Sequence, residues 1–186
     1  MTLFKPKTHF SDTDIATMLS SEYIMSHQTQ RMLKRNWIVT AAYGNTEPKI
    51  AVTITFKQHL YLDGRTLHIN KSEIRRFIRK LHNQVNRKLL GNAFKRYKRK
   101  VFLLAAIEGG GKTDKRLHCH LSIGIKNAPN GFLDWFKNVL RRSEWVDEQI
   151  KLKPLLTKTD EATWHYYLGK QYVDLNLLHL NRSKQQ

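Results

Sequence analysis

The sequence predicts an α+β protein with an antiparallel sheet and a ferredoxin-like (RRM-like) βαββαβ core. Runs of β-branched and aromatic residues are typical of strands, and two apolar patterns have the spacing of amphipathic helices. These patterns alternate along the chain, and a further helical segment follows the last predicted strand. With 186 residues, 40% of them hydrophobic, the chain suits one well-buried domain.

The first strand and the first long helix have clear sequence signals. Residues 50–56, Ile-Ala-Val-Thr-Ile-Thr-Phe, follow Pro48 and predict the strand. Apolar residues at helical spacing over 71–90 predict the helix, with Ser72 as its N-cap and Gly91 as its end.

The rest of the chain predicts a β-hairpin, a helix, a short strand and a last helix. The Gly109-Gly110-Gly111 run supplies the hairpin turn, Asn130 caps the following helix, and Pro154 places the short strand near a sheet edge. We expect the hairpin strands at 101–108 and 117–125, the helix at 130–140, the strand at 149–155 and the last helix at 159–171.

Three segments follow from this order of elements. Residues 49–175 form the predicted domain, which ends in the helix that carries Tyr167. Residues 1–48 do not fit the alternation and are predicted to be a partly helical N-terminal extension. Residues 176–186 are predicted to be a C-terminal tail, because their end is polar and lacks an apolar pattern.

The composition of the chain indicates the class of partner that it binds and the compartment that suits it. The chain has 33 Lys and Arg against 15 Asp and Glu, a formal net charge of +18, which favours a polyanionic partner such as nucleic acid. Cys119 is the sole cysteine, so no intramolecular disulfide can form and a reducing, cytoplasmic setting is expected. No stretch approaches the ~20 apolar residues of a membrane span, so no membrane partner is expected.

A basic stretch supports the same partner class. Residues 71–100 contain twelve Lys or Arg and a single acidic residue, Glu73. Phe94 and Tyr97 are interleaved with these cations, a mixture that suits unstacked bases and phosphates. The alternative is a solvated helix face. The candidate nucleic-acid-binding residues are Arg75, Arg76, Arg79, Lys80, Lys95, Arg96, Lys98 and Arg116.

The His118-Cys119-His120 segment predicts a metal site. Alternate residues of a strand share a face, so both imidazoles project together on a polar, uncrowded face while Cys119 points into the core. Glu108 ends the preceding strand, and hairpin geometry brings it near His118. Two imidazoles and a carboxylate make a three-ligand site with open positions. The alternative is a pair of ordinary strand histidines.

A tyrosine and a lysine on the last helix form a second candidate group. Tyr167 and Lys170 are three residues apart and therefore share a helix face. A phenol with a pKa of about 10 needs a nearby cation to act as a nucleophile, and Lys170 can supply one. The alternatives are that the aromatic residues only pack on the sheet, or that the adjacent Tyr166 is the nucleophile.

These motifs together resemble the HUH endonucleases, which include replication initiators of plasmids, phages and small viruses, relaxases and single-tyrosine transposases. Residues 51–56 resemble the family's first motif strand, residues 116–121 its His-hydrophobic-His motif, and residues 167–170 its Tyr-x-x-Lys motif. The resemblance covers residues 50–172 and follows the expected motif order.

The resemblance implies a site and a reaction. Glu108, His118 and His120 would bind Mg²⁺ or Mn²⁺. Tyr167 would attack single-stranded DNA or an origin hairpin, and Lys170 would assist at the phosphate. The products would be a 5′-phosphotyrosyl link and a 3′-hydroxyl that primes rolling-circle replication. No helicase motor follows the nicking domain, so strand separation is expected from supercoiling or a host helicase.

Two alternatives remain open at the level of sequence. Gln171 stands four residues after Tyr167, a spacing that resembles single-tyrosine transposases, so a transposase or relaxase with the same chemistry is one. The other is a non-catalytic nucleic-acid-binding module of ferredoxin-like fold. The Gly-rich run at 109–111 lacks the spacing of a phosphate-binding loop and is interpreted as the hairpin tip.

Overall fold

The computed structural model describes residues 47–110 and 116–170, together with Met32. The predicted N-terminal extension and C-terminal tail therefore lie almost wholly outside the described residues. The strands within residues 47–170 are β1 Lys49–Phe56, β2 His59–Leu62, β3 Arg65–His68, β4 Leu103–Glu108, β5 His118–Gly124 and β6 Val146–Leu155. The helices there are α1 Lys71–Leu90, α2 Asn92–Arg96, α3 Phe132–Arg141 and α4 Lys158–Lys170.

Four of the strands form one antiparallel sheet, in the order β4-β5-β1-β6. The predicted α+β class with an antiparallel sheet is therefore confirmed. Strand β6 lies at an edge, as Pro154 predicts, because a residue without an N–H is best tolerated where no further strand pairs. The central pair, β5 and β1, carries the residues that matter most for the site.

Helices α1 and α3 pack on one face of this sheet. Their buried apolar residues join one core cluster with alternate residues of the strands, including Cys119 and Leu121 of β5. Two buried polar residues fix α1 to the chain just before β4: the Nε2–H of His82 donates to the Val101 carbonyl at 2.8 Å, and the Val101 N–H donates to Asn86 Oδ1 at 2.6 Å.

Helix α4 covers the opposite face of the sheet. The Trp164 indole N–H donates to the Leu121 carbonyl at 3.2 Å, and His165 Nε2 lies 2.9 Å from Ser122 Oγ. The expectation of an uncrowded polar face is therefore wrong, since His120 and Ser122 are both buried beneath this helix. Trp164 and His165 of α4 cover these two residues, and only the end of the face near His118 stays open.

An exposed hairpin, β2–β3, interrupts the predicted order of elements. Its strands pair only with each other, and a two-residue turn, Asp63-Gly64, joins them with φ values of 50° and 73°. Positive φ at both positions is the type I′ geometry that matches strand twist, and Gly64 adopts it without strain. The sequence patterns predict neither these two strands nor the short helix α2.

Both predicted helix N-caps are corrected by the structure. Asn70, not Ser72, caps α1, because its Oδ1 accepts the N–H groups of Ser72 and Glu73 at 2.8 and 3.1 Å. In turn, the Glu73 carboxylate accepts a hydrogen bond from the Asn70 N–H, which completes a capping box. Helix α3 begins after Gly131 rather than Asn130 and has no side-chain cap. Gly91 ends α1 as predicted.

The described helices were compared with the length and apolar character that a membrane-spanning helix needs. None of them is both long enough and apolar enough to cross a bilayer.

Candidate metal centre

The register of the sheet brings Glu108, His118 and His120 together. Glu108 pairs with His118 across β4 and β5, and Ala106 pairs with His120. Glu108 Oε2 lies 3.0 Å from His118 Nε2 and 3.4 Å from His120 Nε2. One ligand atom from each of the three residues falls within 4.8 Å of the others, a cluster that can hold a metal ion.

Both imidazoles are fixed through their second nitrogen. His118 Nδ1–H donates to the Arg116 carbonyl at 2.8 Å, while His120 Nδ1 lies 3.0 Å from Thr53 Oγ1. Thr53 is opposite His120 in the β1–β5 register, so its hydroxyl is on the same face. Each ring therefore turns its Nε2 toward the shared carboxylate oxygen, which is the arrangement that outer hydrogen bonds give to metal-binding histidines.

The charges of the cluster are coupled. Partial burial acts to raise the pKa of Glu108, but its hydrogen bond with His118 and the charges of both histidines outweigh it and hold the pKa below the ordinary value. Burial, together with the charge of His118, lowers the pKa of His120 although Glu108 opposes this. An ionised carboxylate beside a neutral imidazole is the protonation state that metal ligands require.

Helix α4 adds a phenol and an indole to the cluster. The Tyr167 hydroxyl lies 3.4 Å from His120 Nε2, and its ring meets the imidazole edge-on with centroids 5.0 Å apart. Trp164, one helical turn earlier, stacks on Tyr167 at 5.7 Å and also meets His120 edge-on. Burial and the negative charge of Glu108 raise the pKa of Tyr167, so its hydroxyl is protonated at neutral pH.

The two tyrosines of α4 differ in exposure, and the predicted lysine is the last residue of the helix. Tyr167 is 36% exposed and Tyr166 48% exposed, and the Tyr167 hydroxyl contacts His120. Lys170 ends α4, and its backbone lies within the helix as predicted. Gln171, on which the transposase alternative depends, lies outside the described residues.

Half of the candidate DNA-binding cations, the four on α1, are not at this site. Those of α1 lie on the outer side of a helix that packs on the Cys119 face of the sheet, whereas His118 and His120 are on the other face. Arg116 lies next to the site, since it precedes β5, and it forms an exposed ion pair with Asp147 at 2.9 Å. The exposed candidates are Arg76, Arg79, Lys80, Lys95, Arg96, Lys98 and Arg116, and Arg75 is partly buried.

Comparison with known proteins finds no match. No profile of a known protein family, no curated protein and no solved structure is similar to this chain. The interpretation of the cluster therefore depends on its geometry and on the three sequence motifs.

Two residues of the site were missed by the sequence analysis. Thr53 lies within the first predicted strand, but its contact with His120 depends on the pairing of β1 with β5, which sequence alone does not specify. Trp164 had a usable signal, because it stands three residues before Tyr167 on a predicted helix and so shares its face.

Proposed function

We propose that this protein is a metal-dependent endonuclease that nicks single-stranded DNA with Tyr167 as nucleophile, in the manner of HUH replication initiators. The observation that carries the proposal is the Tyr167 hydroxyl 3.4 Å from His120 Nε2, at the edge of the Glu108 and His118 cluster. A phenol held beside a candidate metal site, in a chain of net charge +18, favours attack on a phosphodiester over a purely structural role.

The donor set fits Mn²⁺ or Mg²⁺ held by Glu108, His118 and His120. For metal–ligand distances of about 2.1 Å, adjacent ligands of an octahedron are about 3.0 Å apart. The carboxylate–imidazole distances of 3.0 and 3.4 Å are close to that value. The two nitrogen donors favour Mn²⁺ over Mg²⁺. Bound there, a divalent ion would neutralise charge on the scissile phosphate and favour the phenolate form of Tyr167.

The reaction balances without a further reagent. The Tyr167 oxygen forms a bond to phosphorus while the bond from phosphorus to the 3′-oxygen of the DNA breaks. The phenol loses one proton and the departing 3′-oxygen gains one, so the products are a 5′-phosphotyrosyl link and a free 3′-hydroxyl. The phosphotyrosyl link conserves the energy of the broken phosphodiester bond, so the DNA ends can later be rejoined. The free 3′-hydroxyl can prime rolling-circle synthesis.

The strand order supports the ferredoxin-like core that this function implies. Without the β2–β3 hairpin and α2, the chain runs strand, helix, strand, strand, helix, strand, and the sheet order is second, third, first, fourth. We interpret the hairpin as an insertion into that core. In this interpretation the histidines belong to a central strand of the core and the tyrosine to the added helix α4.

A covalent-adduct assay tests the proposal. The protein is incubated with end-labelled single-stranded oligonucleotides and Mn²⁺, and protein–DNA adducts are separated under denaturing conditions. Wild type and Tyr166→Phe should form the adduct, whereas Tyr167→Phe should form none, since the Tyr167 hydroxyl lies 3.4 Å from His120 Nε2. Adduct formation by Tyr167→Phe at the wild-type level would refute the assignment of the nucleophile.

The ligand residues are tested in the same assay. His118→Ala, His120→Ala and Glu108→Gln should each lower adduct formation at least about 100-fold, because each histidine variant removes a nitrogen donor and Glu108→Gln removes the negative charge of the carboxylate. Cleavage by both histidine variants at the wild-type rate would leave the non-catalytic nucleic-acid-binding alternative as the better interpretation.

A further inference from the structure

A basic groove lies across the sheet from the metal centre. It runs between α1 and the segment that joins α3 to β6, and its volume is about 360 Å³. Its floor is apolar and aromatic and includes Phe77, Leu81 and Trp145. Volumes of this size hold small molecules or single monomer units of a polymer.

Three cations line the groove. Arg76 and Lys80 come from α1, and Arg142 comes from the end of α3. All three are exposed, and none forms an ion pair with another residue that the structure describes. The carboxylate of Glu73 also lines the groove, but it accepts the Asn70 N–H in the capping box. The groove is therefore cationic beside an aromatic floor.

We propose that this groove binds a segment of single-stranded DNA, with phosphates on Arg76, Lys80 and Arg142 and a base against Trp145. Aromatic surfaces flanked by cations bind unstacked bases, which a duplex does not offer. The choice of DNA over RNA rests on the proposed function, whereas the groove itself needs no cleavage chemistry. Because the groove and the metal centre are on opposite sides of the sheet, the bound segment is not the one being cut.

A pair of charge-matched variants tests the groove. The first carries Arg76→Ala, Lys80→Ala and Arg142→Ala. The second carries Arg87→Ala, Lys126→Ala and Lys158→Ala, which remove the same charge from exposed positions outside the groove. Binding of fluorescent oligothymidine is measured by anisotropy over a range of salt concentrations, with EDTA present so that no cleavage occurs. Thermal unfolding confirms that both variants are folded.

The groove variant should lose about 100-fold in affinity at about 0.1 M salt, and its salt slope should fall by about 2, the loss expected for three phosphate contacts on a single strand. The control variant should lose less than about fivefold, because its cations contribute only to the general field. Equal losses in the two variants would overturn the proposal. Tighter binding of oligouridine than of oligothymidine by wild type would overturn the choice of DNA.

The aromatic floor has its own test. Trp145→Leu keeps an apolar side chain without a stacking ring and should lower affinity about fivefold or more, while Trp145→Phe should bind like wild type. Equal affinity of the two variants would overturn the stacking contact.

The adduct assay on the same preparations separates the two proposals. If wild type forms no adduct but the groove variant binds oligothymidine more weakly than the control variant, only the proposed function is refuted. If wild type forms the adduct but the groove and control variants bind equally, only the groove proposal is refuted.

Discussion

At the scale of single residues, the site depends on which ring nitrogen each histidine turns inward. Strand alternation predicts that His118 and His120 share a face, and the hairpin predicts that Glu108 stands beside them. The sequence could supply this much because both rules are local. It could not supply Thr53, which reaches His120 from a strand 67 positions away and defines the orientation of that ring.

Replacing Thr53 should therefore weaken metal binding. Thr53→Val keeps the shape and β-propensity of the side chain but removes the oxygen 3.0 Å from His120 Nδ1. We expect Mn²⁺ affinity, measured by calorimetry, to fall about tenfold or more, the usual cost of losing an outer hydrogen-bond partner. Thr53→Ser keeps the hydroxyl and should bind like wild type. Equal affinities for the Val and Ser variants would contradict this role for Thr53.

At the scale of elements, α4 is held on the sheet by buried polar contacts rather than by an apolar stripe. Lys49, which is fully buried in β1, lies 3.0 Å from Glu161 of α4 and donates to the Glu47 carbonyl at the same distance. One turn further along, His165 meets Ser122. These contacts determine which face of the helix meets β5, and so they place Tyr167 over His120.

The Lys49–Glu161 pair should contribute to stability through the charge that it neutralises. Glu161→Gln removes the carboxylate 3.0 Å from the buried ammonium and should lower the free energy of unfolding by about 2 kcal/mol in urea titrations. Adding Lys49→Met to that variant should restore most of the loss, because the buried charge is then absent. No recovery in the double variant would show that the loss has another cause.

His165 should make stability depend on pH. Burial, aided by the charge of Lys49, lowers the pKa of His165 to about 4, and the side chain is 2% exposed. Above pH ~6.5 the residue is neutral in both the folded and the unfolded state, so its contribution is fully present. As the pH falls toward about 4, only the unfolded state takes up the proton, which lowers stability by about 3 kcal/mol.

Urea titrations at several pH values check this dependence. His165→Gln can still bond to Ser122 but cannot titrate, so its stability should fall less than that of wild type between pH ~6.5 and ~4. Parallel curves for the two proteins would contradict the prediction.

The β2–β3 hairpin is an element that burial patterns in the sequence do not predict. Asp63-Gly64 is a strong hairpin signal, yet the flanking residues lack the clean alternation of a half-buried strand. The structure explains why, since both strands are largely exposed and neither packs on the core. Patterns based on burial detect only elements that are buried, so the hairpin had to be recognised from its turn.

At the scale of the whole molecule, the sheet separates the candidate metal centre from the basic groove. One face carries the candidate metal cluster and α4, and the other carries α1, α3 and the candidate DNA-binding cations of α1. Composition predicts a basic protein, but it cannot tell on which side of a sheet a cation lies. Arg142 and Trp145 became candidates only when packing brought them beside α1.

The burial of Cys119 between the two histidines has a practical consequence. It is the only cysteine of the chain, it is 0% exposed, and burial raises the pKa of its thiol, so maleimides will not label the folded protein there. A cysteine introduced at a surface position would thus be the single reactive handle, without any need to remove the native one. Dyes on the β2–β3 hairpin or beside Arg142 could then report, by energy transfer to labelled DNA, which face of the sheet each segment of a bound strand approaches.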